Sequence, residues 1–320
     1  MRARNLNGIL VTTDNPEYME TDIRPESDVF SLSNLDVKDL RSAYREKQRN
    51  FTTVPIDVLG ERLRFYPGNV TIWSGHPGAG KTTLLRQLTC KLLHANLPTF
   101  VCSLEEKPVD VFLRHCCCAL GTTNPSEDGL QWCADTWLDT LKIWNYSARD
   151  SDAEHAKILA AIRVLARDHG VRHAVIDSLF CLDVPVNDLE AQRRFSRKLM
   201  QTCQLSGVHI HLVAHPRKKT RADQEDTLDD VAGSADLSRA VDNILFVKRA
   251  KNENAVSSPD VTPMLVSALK QREHPGWIGD VVGWYNRNMH QFVFDQFQAE
   301  PTRYLCADAY KYRVATDSLF

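Results

Sequence analysis

The stretch WSGHPGAGKTTLLRQLTCKL, residues 73–92, decides the fold class of this chain. It follows an apolar run and leads into a predicted helix, and its middle part fits the pattern G-x-x-x-x-G-K-[ST]. Glycines let backbone N–H groups turn toward phosphate at a helix N-terminus, where the helix field favours an anion. The sequence therefore predicts a nucleotide phosphate-binding loop. The residues predicted to form it are Gly75, His76, Pro77, Gly78, Ala79, Gly80, Lys81, Thr82 and Thr83.

On both sides of this loop, apolar strand-like runs alternate with helix-like runs. The strand-like runs are VTIW (70–73), TFVCSL (99–104), HAVID (173–177), HIHLVAH (209–215), NILFVKR (243–249) and MLVSALK (264–270). The helix-like runs cover residues 81–95, 108–120, 154–169 and 189–206. Continuous apolar strands separated by helices are typical of a mostly parallel sheet covered on both faces. DVVGWY (280–285) and HQFVFD (290–295) predict a closing hairpin, joined around residues 286–288. We therefore expect an α/β fold.

The chain is predicted to have four segments. These are an irregular or partly disordered lead (1–34), a helix with its connection (35–54), the main α/β domain that contains the phosphate-binding loop (55–298) and a tail without clear pattern (299–320). The helix has one apolar face, formed by Val37, Leu40, Ala43 and Tyr44, and Asn34 or Asp36 as its candidate cap. A short helix is marginal alone, so we expect it to dock either on its own domain or on a partner.

Composition excludes several classes of protein. With 43% hydrophobic and 25% charged residues, the chain has the make-up of a soluble globular protein. No apolar run reaches the roughly 20 residues that span a bilayer, and the apolar patch near the N-terminus is too short for a signal peptide. Nine cysteines without a C-x-x-C pair indicate neither a disulfide framework nor a zinc site. A net charge of −2 excludes whole-surface attraction to nucleic acid but permits a local basic stripe. We expect a protein of the cytosol or of another reducing compartment, without a membrane partner.

Acidic residues follow two of the predicted strands. Lys81 would reach the β- and γ-phosphates of the nucleotide, and Thr82 would coordinate Mg²⁺. Asp177 closes the strand in RHAVIDSL and is the candidate second ligand for this ion. In FVCSLEEKP, Glu105 and Glu106 are candidates for the carboxylate that activates water, and Glu105 is preferred because it is nearer the strand.

A basic loop follows another strand end. His215 closes the strand in HIHLVAHPRKKTRADQED and leads directly into four cations, Arg217, Lys218, Lys219 and Arg221. Such a cluster is compatible with an ordinary solvated loop. Its position directly after His215 favours a loop that binds nucleic-acid phosphates.

Six motifs occur in an order that resembles the helicase domain of the DnaB-type hexameric replicative helicases, which is a RecA-like ATPase domain. They are GHPGAGKTT, SLEEKP, VIDSL, LVAHPRK, VAGSADLSRAVDNILFVKR and LKQREHPGWIGDVVGWYNRNMHQF, and the likeness covers residues 35–297. Within the group it is greatest to Twinkle and to phage primase–helicases. The resemblance implies a RecA-like P-loop NTPase of the superfamily 4 type.

The resemblance also implies an activity and its residues. It implies a homo-oligomeric ring, a hexamer, that uses ATP or another NTP with Mg²⁺ to move 5′→3′ on single-stranded DNA. His215 would link the γ-phosphate to the DNA loop, while Arg272, with Lys270, would reach the neighbouring subunit's nucleotide as an arginine finger. Arg249 and Tyr285 would contact the base. The helix at 36–49 would pack on the adjacent subunit.

Some features depart from the family pattern or leave alternatives open. Arg239 stands where relatives carry a phosphate-sensing glutamine, and the longer EHPGWIG segment leaves the placement of Arg272 open. No primase module precedes the helicase part in this sequence, so a separate primase is a candidate partner. The expected compartment is the cytosol of a bacterium or of a phage-infected host cell. A RecA-like recombinase that binds single strands without unwinding is the main alternative function. A regulatory, clock-type or loader ATPase acting on protein partners is another.

Overall fold

A computed structural model of the chain describes residues 5–6, 9–10, 36, 38, 40–42, 44–45, 51–53, 60, 62–145, 155–185, 188–216, 227, 235–250, 260–273, 276–293, 298 and 300–304. The chain divides into two units, Met1–Arg49 and Asn50–Phe320.

The first unit contains a short strand pair and a helical segment. Strands β1 (Asn5–Leu6) and β2 (Ile9–Leu10) pair antiparallel, within the stretch for which the sequence predicted an irregular lead. The described residues from 38 to 45 are helical. Asp36 Oδ1 accepts a hydrogen bond of 2.8 Å from the backbone N of Lys38, which confirms Asp36 as a cap. Leu40 and Tyr44, on the predicted apolar face, are exposed.

The second unit alternates strands and helices. Its strands are β3 (Thr52–Thr53), β4 (Arg64–Phe65), β5 (Val70–Ser74), β6 (Thr99–Ser103), β7 (Leu141–Ile143), β8 (His173–Asp177), β9 (His209–Ala214), β10 (Asn243–Arg249), β11 (Val261–Gln271), β12 (Gly279–Asn286) and β13 (Gln291–Val293). Its helices are α1 (Lys81–His94), α2 (Pro108–Leu120), α3 (Glu127–Trp137), α4 (His155–His169), α5 (Leu189–Ser206) and α6 (Ala235–Ala240), with a short 3₁₀ helix at Leu179–Cys181.

Nine strands form one sheet in the order β13-β12-β11-β10-β5-β9-β8-β6-β7. The six from β10 to β7 run parallel, and β11, β12 and β13 add to the β10 edge antiparallel. Every residue of β5, β6, β8 and β9 is buried, as continuous apolar runs predict for strands covered on both faces. The predicted mostly parallel sheet and its closing hairpin are both confirmed.

Helices cover both faces of this sheet. Adjacent residues of β5 show the two sides: Ile72 packs with α4, α5 and α6, whereas Trp73 packs with α1 and with side chains of the antiparallel strands. A third apolar cluster joins α1 to α2 and α3, and it includes Tyr304, within the segment predicted to be a tail. No helix in the described part of the chain is long and apolar enough to cross a membrane.

Local signals set the helix ends. Asp188 caps α5 through a 2.8 Å hydrogen bond from Ala191 N, and Gly207 ends it with a φ of 68°. Ser126 caps α3 by accepting a bond of 3.1 Å from Gly129 N. The sequence had not predicted α3 or the three-residue strand β7.

Candidate active site

The carboxyl ends of five parallel strands place the predicted site residues at one edge of the sheet, where ligands bind in folds of this kind. They surround a cleft of about 330 Å³. Its lining residues are Pro77, Gly78, Gly80, Lys81, Thr82, Thr83, Glu105, Asp177, Val213, His215, Arg249, Thr262, Met264, Tyr285 and Arg287. The predicted loop residues Gly75, His76 and Ala79 lie beside the cleft and do not line it.

The loop between β5 and α1 follows a path that requires glycine. Gly75, Gly78 and Gly80 have φ values of 146°, 71° and 94°. A Cβ at Gly75 would lie 2.1 Å from the carbonyl oxygen of Val247, and one at Gly80 would lie 2.9 Å from Met264 Cε. A loop of this shape, ending at the free N–H groups of α1, fits a bound phosphate chain.

Lys81 lies at the base of this loop and is 5% exposed. Its Nζ donates hydrogen bonds to the carbonyl oxygens of Gly75 at 2.6 Å and His76 at 3.1 Å. Burial lowers the pKa of Lys81, while the charges of Asp177 and Glu105 raise it. The carbonyl oxygens of the loop therefore hold the Lys81 ammonium group inside the cleft.

Thr82 and Asp177 form a pair of adjacent oxygen atoms. Thr82 Oγ1 donates a 2.6 Å hydrogen bond to Asp177 Oδ2. Burial raises the pKa of Asp177 to about 6. The hydrogen bond from Thr82 lowers this pKa, and the charge of Glu105 raises it further. A hydroxyl and a carboxylate side by side are the hard oxygen ligands that Mg²⁺ prefers. The two residues therefore fit the predicted magnesium site.

The two glutamates after β6 have different surroundings. Glu106 is held by Arg86 at 3.3 Å and Arg114 at 3.0 Å, and its side chain is 19% exposed. The Glu105 side chain is 51% exposed and lines the cleft. The structure thus leaves Glu105 available to a nucleotide and ties Glu106 to cations.

His215 lies next to Glu105 at the end of β9. Its Nε2 is 4.0 Å from Glu105 Oε1, and its ring packs edge-on against Phe180 with centroids 6.3 Å apart. Burial, and then the charge of Lys81, lowers the pKa of His215. The predicted DNA-loop residues Arg217, Lys218, Lys219 and Arg221 lie outside the described residues.

The far side of the cleft is built by the antiparallel strands. Arg249, at the end of β10, and Tyr285, on β12, line the cleft on this side, and the Tyr285 ring packs on Phe292 with ring centroids 5.6 Å apart. Thr262 and Arg287 also line it, and Arg287 donates a 3.2 Å hydrogen bond to Thr262 Oγ1. Sequence reasoning missed both of these residues. The pairing of Thr262 with Tyr285 brings them here, and strand register is not visible in the sequence.

Lys270 and Arg272 lie elsewhere. Lys270 Nζ donates to the carbonyl oxygens of Ser238 and Arg239 at 2.8 and 2.9 Å. Arg272 contacts Asp242 at 3.2 Å and the carbonyl oxygen of Arg239 at 3.0 Å. From Met264, which lines the cleft, to Lys270 is six residues of β11, about 20 Å at roughly 3.4 Å per residue. These cations and Arg239, which is exposed, are therefore remote from the cleft of their own subunit.

Comparisons with known proteins agree with this architecture. Residues 45–221 match the family described as an AAA domain. A Twinkle homolog protein, chloroplastic/mitochondrial, of Arabidopsis thaliana is 26% identical over 250 residues, which is 69% of this chain and 33% of that protein. The chain thus spans about a third of the length of this curated relative.

Two solved structures share the fold. One is an isolated ATPase domain, with a TM-score of 0.66 and 21% identity, covering 81% of this chain and 98% of the other. The second is a DnaB-like replicative helicase, described with its interactions with primase, with a TM-score of 0.64, 20% identity and coverages of 81% and 66%. The chain therefore belongs to the AAA domain family, with the RecA-like ATPase fold of the DnaB-type replicative helicases that its sequence motifs resemble.

Proposed function

We propose that this chain is the motor domain of a ring-forming DNA helicase that hydrolyses ATP or another NTP and moves 5′→3′ on single-stranded DNA. The observation that carries the proposal is the convergence of Lys81, the Thr82–Asp177 pair and Glu105 on one cleft. The likeness to a Twinkle homolog and to a DnaB-like replicative helicase supports the helicase assignment.

The glycine loop and four polar residues of the cleft have chemical roles in this proposal. The glycine loop and Lys81 bind the β- and γ-phosphates, and Thr82 and Asp177 hold Mg²⁺. When bound, this ion offsets the negative charge of the phosphate oxygens. Glu105 accepts a proton from the attacking water at a carboxylate oxygen, which general-base catalysis requires to lie within hydrogen-bond reach.

The route from hydrolysis to DNA starts at His215. It borders both Glu105 and the beginning of the basic loop, and burial lowers its pKa, so it is neutral at pH 7 and able to accept or donate a hydrogen bond. In the proposal, loss of the γ-phosphate changes this contact and shifts the loop Arg217, Lys218, Lys219 and Arg221 along the DNA backbone. Such a loop needs no positive net charge elsewhere in the protein.

In the proposed ring, the adjacent subunit supplies further cations to each cleft. Lys270 is about 20 Å along β11 from its own cleft, and Arg272 follows the end of that strand. We therefore assign them to the nucleotide of the adjacent subunit, where a cation stabilises transition-state charge. The exposed Leu40 and Tyr44 support the same arrangement, since a helix with an uncovered apolar face suits docking on a neighbouring subunit. Since the DnaB-like structure was described with its interactions with primase, a separate primase is proposed as a further partner.

Strand displacement on forked DNA substrates of each polarity tests the proposal, with Lys81→Ala as the inactive control. We expect ATP-dependent unwinding of one polarity, ATP hydrolysis that rises when single-stranded DNA is added, and a hexamer by native mass spectrometry. Open filaments on DNA without unwinding would support the recombinase alternative. Hydrolysis that DNA does not stimulate would instead indicate an ATPase that acts on protein partners.

A further inference from the structure

One oxygen of Glu105 receives contacts from two other segments of the chain. Ser178 Oγ donates a 2.9 Å hydrogen bond to Glu105 Oε1, while Cys181 Sγ lies 3.8 Å from the same atom and His215 Nε2 4.0 Å from it. Ser178 is 0% exposed, whereas the Glu105 side chain is 51% exposed. A fixed, buried donor thus holds one end of a carboxylate that otherwise reaches into the cleft.

Backbone pairing explains why these two side chains meet. Strands β6 and β8 are neighbours in register, with Ser103 opposite Asp177. The pairing continues beyond the strands, because Leu104 N donates a 2.7 Å hydrogen bond to the carbonyl oxygen of Asp177. Ser178 is fixed on its other side by a 3.1 Å bond from Cys181 N to its carbonyl oxygen. The hydroxyl of Ser178 therefore has a position set by the sheet itself.

We propose that Ser178 is a positioning residue for hydrolysis: its hydroxyl holds Oε1 of Glu105, so that Oε2 is directed at the attacking water. The inference rests on the proposed function, in which Glu105 is the base. An ionised carboxylate only accepts hydrogen bonds and a hydroxyl can donate one, and the 2.9 Å between Ser178 Oγ and Glu105 Oε1 lies in the ordinary range for such a bond. An unheld glutamate, half exposed at the end of a strand, would sample several rotamers and reach the water in only some of them.

Cys181 is the competing donor, and it is weaker. A thiol donates poorly, and its 3.8 Å separation from Oε1 is long beside the 2.9 Å of Ser178. The hydroxyl, and not the thiol, is therefore expected to determine the position of Glu105. Replacing each residue in turn separates the two.

The test compares Ser178→Ala with Ser178→Thr, Cys181→Ala and Ser196→Ala. Ser196 is a matched control, a buried serine whose hydroxyl donates to the carbonyl oxygen of Gln192 within α5. For each full-length variant, kcat and KM for ATP with Mg²⁺ are measured, together with the Kd of a fluorescent ADP and the thermal midpoint. We expect Ser178→Ala to lower kcat at least about tenfold, near the lower end of the effect of losing one hydrogen bond to a charged group. KM and the Kd of ADP should stay within about twofold. Ser178→Thr, which keeps the hydroxyl, should retain most of the rate. Cys181→Ala and Ser196→Ala should have the kcat of wild type.

Two results would overturn the inference. One is a Ser178→Ala rate within twofold of wild type. The other is a loss of rate matched by an equal loss of ADP binding, which would mean that the serine only supports the shape of the site. If the threonine variant fails to fold, the split between kcat and ADP binding in Ser178→Ala decides alone. Absence of hydrolysis by wild type would refute the proposed function instead, so the two failures are distinguishable.

Discussion

Acidification from pH 7.5 to 5.0 should destabilise this protein through histidines that are buried in the neutral state. Three of them, His173, His209 and His211, lie together on β8 and β9 beneath Phe65, and His115 lies in α2. All four are 0–4% exposed, so an added proton would place a charge in the core.

Hydrogen bonds fix the proton positions in this histidine cluster. Trp73 Nε1, which can only donate, lies 3.3 Å from His211 Nδ1. His211 must therefore carry its proton on Nε2 and donate to His173 Nδ1 at 3.1 Å. His173 in turn donates from Nε2 to Thr52 Oγ1 at 3.1 Å. A second proton on His211 would face the Trp73 donor, so each ring is held as a single neutral tautomer.

Burial lowers the pKa of His209 from 6.5 to about 4 and that of His115 to about 3. It also lowers the pKa of His173 and His211 well below 6.5, with their histidine neighbours adding to the effect. Below pH 6.5 the unfolded chain binds these protons and the native state does not, so stability present at pH 7.5 is lost as the pH falls toward the native pKa values.

The loss can be estimated for His209, His115 and Asp177. At pH 5.0, His209 and His115 each contribute a loss of about 2 kcal/mol, or about 4 kcal/mol together. Asp177 opposes them, because its native pKa of about 6 lies above the unfolded 3.8 and favours the protonated native state by about 1.4 kcal/mol at this pH. The net loss is about 3 kcal/mol, and His173 and His211 increase it. That is a large part of a typical stability of about 5–15 kcal/mol.

Urea unfolding followed by tryptophan fluorescence, without Mg²⁺ or nucleotide, measures this effect at pH 7.5, 6.0 and 5.0. We expect the unfolding free energy to fall mainly between pH 6.5 and 5. His115→Leu should reduce the fall by about 2 kcal/mol, whereas replacing the exposed His94 with Gln should not change it. An unfolding free energy that is the same at pH 7.5 and 5.0, or an equal fall in His115→Leu and wild type, would refute the reasoning.

Four substitutions test the roles proposed for the active-site residues. Glu105→Gln should lower kcat at least about 100-fold by removing the base. Glu106→Gln should retain hydrolysis but lose about 2 kcal/mol of stability in urea unfolding, because Arg86 loses its charged partner. Equal activity of the two variants would contradict the assignment of Glu105 as the base. Tyr285→Ala should raise KM for ATP about tenfold with little change in kcat, since base stacking contributes about 1–3 kcal/mol, and an unchanged KM would show that the base lies elsewhere. Arg272→Ala should abolish DNA-stimulated hydrolysis while fluorescent ADP still binds, and normal hydrolysis would rule out the finger.

Much of the candidate site could be predicted from the sequence because its polar residues lie at the ends of strands. Apolar runs mark the parallel strands, and the carboxyl ends of parallel strands meet at one edge, so Lys81, Glu105, Asp177 and His215 were predicted together. The choice of Glu105 over Glu106 was less certain from sequence. Only the structure shows that Arg86 and Arg114 hold Glu106.

What sequence missed depends on weak or overlooked local signals, or on strand pairing. Strand β7 has three residues, too few for a pattern. Helix α3 (EDGLQWCADTW) carried usable signals that were overlooked, namely the Ser126 cap with its following acids and Leu130, Cys133 and Trp137 at helical spacing. Thr262 and Arg287 reach the cleft through the register of β11 with β12. The register between these two consecutive strands is set by packing and by the geometry of their connection, which no local pattern records.

The contacts of Lys270 and Arg272 are compatible with two roles, a finger for the adjacent subunit and a structural contact within their own subunit. A single substitution cannot distinguish these roles. Both donate to carbonyl oxygens at the C-terminal end of α6, where cations stabilise a helix, so losing either would also loosen this region. Mixing equal amounts of Lys81→Ala and Arg272→Ala subunits distinguishes a finger from a structural contact. The Lys81 variant keeps an intact finger and the Arg272 variant an intact cleft. In a randomly mixed ring about a quarter of the interfaces would join the two intact halves, so DNA-stimulated hydrolysis should return to about that fraction of wild type. A purely structural Arg272, or one acting on its own subunit's nucleotide, would give mixtures as inactive as either variant alone.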